Sequence, residues 1–215
     1  MPGIMQRLRE ETAELHQHAE RRPLEQAMAR GEISREAYVE NLGQRYLIHR
    51  ALEAHVRDLC SRDARLNGLV LEEQYQLPNL AADLAYFETP AGSIEPTRGA
   101  LRLIETLDGM AQTQPIALLG AFYVFEGSKN GAHFLTPRVR AALGLSGAEG
   151  TRYLDPHGPQ QRPIWMQFRE RMDAVAFTAE ENDAMVHGAK AAFQHIAEVD
   201  DDVYHRTAPG IAISS

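Results

Sequence analysis

The feature that most constrains the fold is the spacing of apolar residues, which recur every three or four positions over most of the chain. In the segment REAYVENLGQRYLIHRALEAHVRDL, for example, they fall at Tyr38, Leu42 and Tyr46 and continue at that spacing. This period is typical of amphipathic helices, and no segment shows the convincing alternation of a β-strand. The sequence therefore predicts an all-α fold.

Capping residues and prolines set the predicted helix boundaries. Ser34 can cap the long helix just quoted, and Thr178-Ala-Glu-Glu181 has the spacing of a capping box. We predict further helices over 3–22, ending at Pro23, over 80–87 and 97–110, from 114 to 144 with a break near Pro137, from about 163, and from 178 to about 205.

Composition limits the number of domains and the kinds of partner. The chain has 215 residues, a formal net charge of −8 and 44% hydrophobic residues, which suits one ordinary core. We expect a single domain over residues 1–206 and a loose tail, TAPGIAISS, over 207–215. The acidic balance disfavours nucleic acid as a partner. The absence of a long apolar run and of a signal-like N-terminus predicts no membrane segment and a cytoplasmic location.

The nine histidines do not form a recognisable metal motif. No pair has the His-Glu-x-x-His spacing, and no glutamate is followed three residues later by histidine, which excludes helix-borne zinc pairs and carboxylate-bridged di-iron sites. Cys60, the single cysteine, cannot build a thiolate cage. One histidine can still ligate a haem, because a haem supplies four nitrogens of its own.

The best candidate for such a ligand lies in the segment RLREETAELHQHAE. His16 follows Arg9 by seven residues, so on a continuous helix the two side chains would share a face about 10 Å apart along the axis. An iron ligand and a cation that pairs with a haem propionate need that arrangement. Two surface residues on an amphipathic helix would show the same spacing.

The segment FYVFEGSKNGAHFL places two glycines inside a predicted helix. Gly127 and Gly131 each weaken a helix by roughly 0.5–1 kcal/mol relative to alanine. A flat ligand lying against the bare backbone would explain them, and so would close packing against another helix. Ser128 and Asn130 favour the ligand, since polar groups beside a dry seam need partners whereas beside a pocket they can hold water.

Three segments taken together resemble the haem oxygenase family over nearly the whole chain. They are LREETAELHQHAE, YVFEGSKNGAHFL and WMQFRERMDAVAFTAEENDAMVHGAKAAF. The resemblance implies a single-domain all-α fold that holds haem b between a proximal helix and a kinked distal helix. It implies a biliverdin-producing enzyme that cleaves haem, both substrate and cofactor, to biliverdin, CO and Fe(II) with O₂. Electrons would come from a separate ferredoxin, flavodoxin or flavin reductase, because the chain has no nucleotide-binding glycine fingerprint.

The resemblance also assigns residues around the haem. It implies His16 as the proximal iron ligand, Arg9 and Arg169 as cations for the propionates, and Phe193 as a residue near the haem edge. Arg169 could also be a solvated surface residue, and Phe193 could be plain core packing.

On the distal side, the resemblance assigns backbone contacts to Gly127, Ser128, Gly131 and Ala132. Asn130 departs from the family pattern and could either extend the water network that delivers protons or turn outward. Lys129 and His133 also depart, and either would block the oxygen site if it reached the iron. A haem carrier without activity therefore stays open as an alternative. So does a haem-free helical protein of the thiaminase-like class, for which Cys60 would be the nucleophile.

Overall fold

The computed structural model of the chain describes residues 3–208 and contains nine α-helices in that range, with no strand among the described residues. The all-α class predicted from the sequence is confirmed. Part of the predicted tail, residues 209–215, lies outside the described residues. The helices are α1 (Ile4–Glu11), α2 (Ala13–Glu20), α3 (Pro23–Arg30), α4 (Arg35–Arg62), α5 (Leu77–Tyr86), α6 (Arg98–Thr113), α7 (Ala117–Leu143), α8 (Gln161–Ala174) and α9 (Ala179–Thr207).

Side-chain caps fix the start of three long helices. The hydroxyl of Ser34 accepts a hydrogen bond from the Ala37 amide at 3.1 Å, and Thr97 caps α6 in the same way. At α9 the capping box is complete, because Thr178 and Glu181 each accept a hydrogen bond from the other's amide. Caps of this kind stabilise a helix by about 1 kcal/mol each.

The predicted first helix, 3–22, is wrong in one respect, because the structure divides it into α1 and α2. Thr12 has φ −109° and ψ 0°, which leaves the helical region. Its hydroxyl donates to the carbonyl oxygen of Leu8 at 2.7 Å. A threonine side chain that bonds back to its own helix bends it. Arg9 and His16 therefore lie on successive helices rather than on one continuous face.

The sequence prediction also missed α3, which begins at Pro23, the residue taken to end the first helix. Proline suits the first position of a helix because that position needs no amide donor. Gly31 ends α3 in the left-handed conformation, with φ 68°. Such a glycine is the commonest residue at that place. The segment PLEQAMARG carries both signals, a proline at the first position and a glycine after the last.

Helix α7 differs from the sequence prediction at Pro137. The structure carries the helix through Pro137 without interruption, so the break predicted there is wrong. The hydroxyl of Thr136 donates to the carbonyl oxygen of Ala132 at 2.9 Å. This side-chain bond lies in the turn that contains the proline, which cannot donate from its own nitrogen. The kink predicted in α7 stays a prediction.

Helices α7 and α9 pack closely against each other through two glycines. A Cβ atom added to Gly120 would lie 1.8 Å from the carbonyl oxygen of Met185, and one added to Gly188 would lie 2.0 Å from that of Ala117. The neighbours are backbone atoms, which cannot move aside as a flexible side chain can. These glycines therefore set how α7 is seated against α9.

We predict that Gly120→Ala destabilises the protein by about 3 kcal/mol, because the new methyl group must push two helix backbones apart. The free energy of unfolding in urea measures the effect. Gly109→Ala is the matched control. Gly109 lies in α6, where an added Cβ atom meets nothing within 4 Å, so its replacement should stabilise the helix by about 0.5–1 kcal/mol. Equal stability of the two variants would contradict the packing role of Gly120.

Among residues 3–208, no helix combines the length and the apolar character needed to cross a membrane.

Candidate functional site

Two adjoining cavities lie between α2 and α7 and together form one cleft. The first cavity has a volume of about 560 Å³ and extends toward α8, and the second has about 370 Å³ and extends toward α3 and α4. Both volumes fall in the range of small-molecule sites. The two cavities share the residues His16, Val124, Gly127, Ser128 and Phe193. Because these residues line both, the cavities meet along α7.

His16 forms the α2 wall of the cleft. Its side chain is 53% exposed, and its Nε2 lies 3.7 Å from Oε1 of Glu20. The ring of Phe193, which is buried in α9, meets the imidazole edge-on, with ring centroids 5.5 Å apart and planes at 89°. The structure therefore brings two predicted residues together and leaves the imidazole accessible from both cavities.

The opposite wall is the bare backbone of α7. A Cβ atom added to Gly131 would meet nothing within 4 Å, although the residue sits inside a long helix. At Gly127 an added Cβ atom would lie 3.3 Å from the indole ring of Trp165. Gly131 and its neighbour Ala132 line the second cavity. The sequence left two explanations for these glycines. At Gly131 the structure disfavours close helix packing, since the position faces open space, whereas Gly127 lies close to the ring of Trp165.

Ser128 and Asn130 both line the first cavity and both bond back to α7. The Ser128 hydroxyl donates to the carbonyl oxygen of Phe125 at 2.9 Å, and the Asn130 amide donates to that of Gly127 at 3.0 Å. The Ser128 hydroxyl thus uses its one proton, the Asn130 amide keeps a second N–H, and the oxygen atoms of both side chains remain as acceptors. Asn130 is half-buried at the cavity wall.

Lys129 lies on the other side of α7, in the protein interior. Its Nζ is 2.5 Å from a carboxylate oxygen of Glu126 and donates to the carbonyl oxygen of Gln74 at 3.2 Å. Burial lowers the pKa of Lys129, and Glu126 opposes that shift. Lys129 lines neither cavity. His133 does line the first cavity, with its Nδ1 2.8 Å from Oδ1 of Asp155.

We predict that Lys129→Met costs about 3–5 kcal/mol of stability, since it leaves the Glu126 carboxylate buried without its partner. Denaturant unfolding measures the loss. The double variant Lys129→Met/Glu126→Gln, which removes both charges, should recover most of it. Hemin uptake per folded molecule should be the same in all three proteins. Stability of the single variant equal to that of the parent would refute the buried ion pair.

The two cavities differ in charge. Arg162 and Arg169 line the first cavity, and no Asp or Glu does. Neither arginine forms an ion pair within the described residues, and Arg169 donates only a weak hydrogen bond, 3.7 Å long, to the sulfur of Met166. Glu25, Asp200 and Arg45 are among the residues that line the second cavity. The cleft is therefore cationic toward α8 and acidic toward α3.

Arg9 is the one predicted site residue that the structure does not bring to the cleft. It is exposed on α1 and lines neither cavity. It lies near Tyr123, whose pKa is raised by burial and lowered by Thr12, Arg169 and Arg9. Because Tyr123 lines the first cavity and Arg9 does not, Arg9 lies near the cavity wall without forming part of it.

Comparison with known proteins identifies the family. The model of the family described as Heme oxygenase matches residues 3–201. The chain belongs to the haem oxygenase family. The family and the haem oxygenase-like fold predicted from the sequence are confirmed.

Relatives of known name span most of the chain. Heme oxygenase 2 of Synechocystis sp. is 26% identical over 211 residues, which cover 94% of this chain and 84% of that protein. The crystal structure of heme oxygenase-2 from Synechocystis sp. PCC 6803, in complex with heme and NO, gives a TM-score of 0.88 at 24% identity, covering 95% of this chain and 86% of that one. The heme oxygenase of Leptospira interrogans gives 0.84 at 19% identity, covering 93% and 99%.

Cys60 has no place in the site of this haem oxygenase family member. It lies in α4, lines neither cavity, and has a thiol whose pKa is raised by burial. A raised pKa leaves less of the nucleophilic thiolate at neutral pH. The geometry therefore disfavours the thiaminase-like alternative.

Sequence reasoning missed the polar residues of the second cavity. Asn41 and Arg45 are four residues apart on a buried face of α4, which is a signal that could have been read, because buried polar residues need partners or a function. Tyr153 comes from the loop after α7, and Asp83 holds that loop by accepting the amides of Arg152 and Tyr153 at 2.9 and 2.8 Å. This contact joins residues about 70 positions apart, so no local sequence pattern predicts it.

Proposed function

We propose that this protein is a haem oxygenase that cleaves haem b to biliverdin, CO and Fe(II), with O₂ and electrons from an external donor. The observation that carries the proposal is the cleft itself, which sets an accessible imidazole, His16, opposite the bare backbone at Gly131. Membership of the haem oxygenase family supports the same activity. The Synechocystis structure whose fold this chain shares was determined with heme bound.

His16 is the residue that would hold the iron. A haem needs one axial ligand from the protein, and a neutral imidazole leaves the opposite position open. The Phe193 ring packs edge-on against the imidazole, and Oε1 of Glu20 lies 3.7 Å from its Nε2. When bound, the haem supplies a redox-active iron and is itself the molecule that is cleaved.

The glycine wall decides how closely a flat ligand approaches α7. Gly131 faces empty space that a side chain would fill, so a macrocycle can lie against the helix backbone there. We propose that Gly127, Ser128, Asn130 and Gly131 form the catalytic wall, with Ala132 beside them. The oxygen atoms of Ser128 and Asn130 can accept hydrogen bonds from water in the cleft, and such water can carry protons along this wall.

The charge difference between the cavities orients the haem. Two carboxylates on one edge of the macrocycle would be drawn to Arg162 and Arg169 in the first cavity and repelled by Glu20 in the second. The propionate role predicted for Arg169 fits this orientation. We propose Arg9 as a weaker, outer contribution, since its position is beside Tyr123 rather than in the cavity wall.

Electrons would come from a separate ferredoxin, flavodoxin or flavin reductase, and O₂ from solution. Four predictions from the sequence remain predictions. They are a single domain over residues 1–206, a loose tail from 207, a cytoplasmic location and no nucleic-acid partner.

A haem carrier without activity is the second candidate, and one observation favours it. His133 lines the first cavity, so its imidazole could become a second ligand to the iron. An optical spectrum separates the two functions, because a haem with two nitrogen ligands that is inert to ascorbate and air would indicate a carrier.

The test of the proposed function is to add hemin to the purified protein and supply ascorbate in air. A haem oxygenase converts the bound hemin, so the Soret band should fall while biliverdin absorbance and CO appear. Bound hemin that survives, or that bleaches without releasing biliverdin, would contradict the proposal.

A further inference from the structure

The inner wall of the second cavity carries a charged cluster that the proposed function does not use. It comprises Glu25 of α3, Arg45 of α4 and Asp200 of α9. The guanidinium of Arg45 donates to Oδ1 of Asp200 at 2.5 Å, and the two side chains are only 7% and 0% exposed. Glu25 is half-buried and lines the same cavity.

The cluster has more acceptors than donors. Oδ2 of Asp200 and Oδ1 of Asn41 are buried and have no hydrogen-bond donor within residues 3–208. Both residues line the second cavity. A buried acceptor without a donor costs about 1–3 kcal/mol, so such atoms are normally satisfied. Two unsatisfied acceptors in one cavity wall indicate that a proton or a donor is expected there.

Tyr153, which also lines the second cavity, adds a further hydrogen-bond acceptor through a chain that runs from Glu53 to His49 to its hydroxyl. Oε1 of Glu53 accepts the backbone amides of Gln76 and Leu77, and in the tautomer of His49 that carries its proton on Nδ1 it also accepts from that nitrogen at 2.9 Å. Burial lowers the pKa of His49 although Glu53 opposes the shift, so the ring is neutral. Its Nε2 must then accept from the Tyr153 hydroxyl at 3.2 Å. Tyr153 consequently presents lone pairs to the cavity.

The charges in the cluster do not balance while both carboxyl groups are ionised, since two carboxylates and one guanidinium then line the same cavity. Burial raises the pKa of Glu25, against the opposing effect of Arg45, and burial likewise raises the pKa of Asp200. The other charged groups nearby are Glu20 on α2, which lines the same cavity, and Asp201, which pairs with Arg22 at 3.3 Å. The α7 side of the cavity is lined by uncharged residues alone.

We propose that Glu25 and Asp200 share one proton at neutral pH and that Glu25 is a proton donor to the cleft. In this step the O–H bond of the Glu25 carboxyl breaks and its proton passes to water or to an acceptor oxygen in the cleft. Arg45 stabilises the carboxylate that remains, and solvent returns the proton. The inference rests on the proposed function only for the destination of the proton, because the shared proton is a property of the protein without haem.

Infrared spectroscopy of the haem-free protein tests the shared proton directly. The C=O stretch of a protonated carboxylic acid should be present at pH 7 and disappear as the pH is raised. It should also be absent from Glu25→Gln and from Asp200→Asn, because each leaves a single carboxyl group beside Arg45, which then ionises. The exposed control Glu36→Gln should retain the band. A parent protein without the band at pH 7 would overturn the proposal and requires no variant to fold.

Turnover tests the destination of the proton. Glu25→Gln should bind hemin as the parent does, yet form biliverdin about 100-fold more slowly with ascorbate at neutral pH. The parent's rate should fall as the pH rises through the pKa of the shared proton, and Glu25→Gln should lack that dependence. A parent that forms biliverdin while Glu25→Gln matches its rate at every pH would overturn the donor role and leave the proposed function intact. A parent that binds no hemin would instead refute the proposed function, and the infrared band would still decide the shared proton.

Discussion

Replacing His16 with alanine is expected to abolish biliverdin formation and reduce hemin binding to weak, unsaturable uptake. The imidazole is the only side chain on the α2 wall that lines both cavities, within the part of the chain that the structure describes. Without it the iron has no axial ligand from α2, although the apolar walls can still adsorb a flat macrocycle. Stability should change little, because the His16 side chain is 53% exposed.

His18→Ala is the matched control for this variant. His18 lies two residues along α2, is exposed and lines neither cavity, so its replacement should leave hemin titration and product yield unchanged. Added imidazole should restore part of the hemin spectrum of His16→Ala by occupying the vacated ligand position. Biliverdin formation by His16→Ala at the parent's rate, without added imidazole, would remove His16 as the iron ligand.

Gly131→Leu is expected to fold normally and to lose most of the biliverdin yield. An added Cβ atom meets nothing within 4 Å in the haem-free protein, so the leucine has room, and a non-glycine residue favours the helix by up to about 1 kcal/mol. The isobutyl group then occupies the space in which a macrocycle and its oxygen ligand would lie. We expect at least a 10-fold lower yield of biliverdin per hemin, measured after a single turnover with ascorbate.

Gly109→Leu places the same side chain at an open glycine of α6, away from the cleft, and controls for the added apolar surface. Its yield should equal the parent's. Gly131→Ala should lie between parent and Gly131→Leu, since a methyl group fills less of the cleft. An unchanged yield from Gly131→Leu would contradict the contact between α7 and the ligand.

The sequence predicted the long helices well because their information is local. Ser34 and Thr178 are capping residues directly before apolar periodic segments, and each accepts the expected amide hydrogen bond. The residues placed in the site also followed from short motifs, since His16, Gly127 and Gly131 do line one cleft. A motif fixes which residues share a helix face, and the family resemblance supplied how the two faces meet.

Features that depend on single side-chain contacts or on distant residues were not predictable in the same way. The division at Thr12 depends on one hydroxyl bonding to Leu8, and threonine occurs in many uninterrupted helices. The polar cluster of the second cavity joins residues 25, 45 and 200, which are brought together only by the tertiary fold. The side-chain direction of Lys129 was also not predictable. Its partner Glu126 is close in sequence, but whether both side chains point into the core or into the cleft depends on what α7 packs against.

The crystal structure of the hemin complex tests the central claim most directly. We predict that the iron is bonded to a ring nitrogen of His16 and that the macrocycle lies between α2 and the backbone of α7 at Gly127 and Gly131, with its propionates toward Arg162 and Arg169. Hemin bound outside this cleft, or iron ligated by His133 in place of His16, would contradict the account.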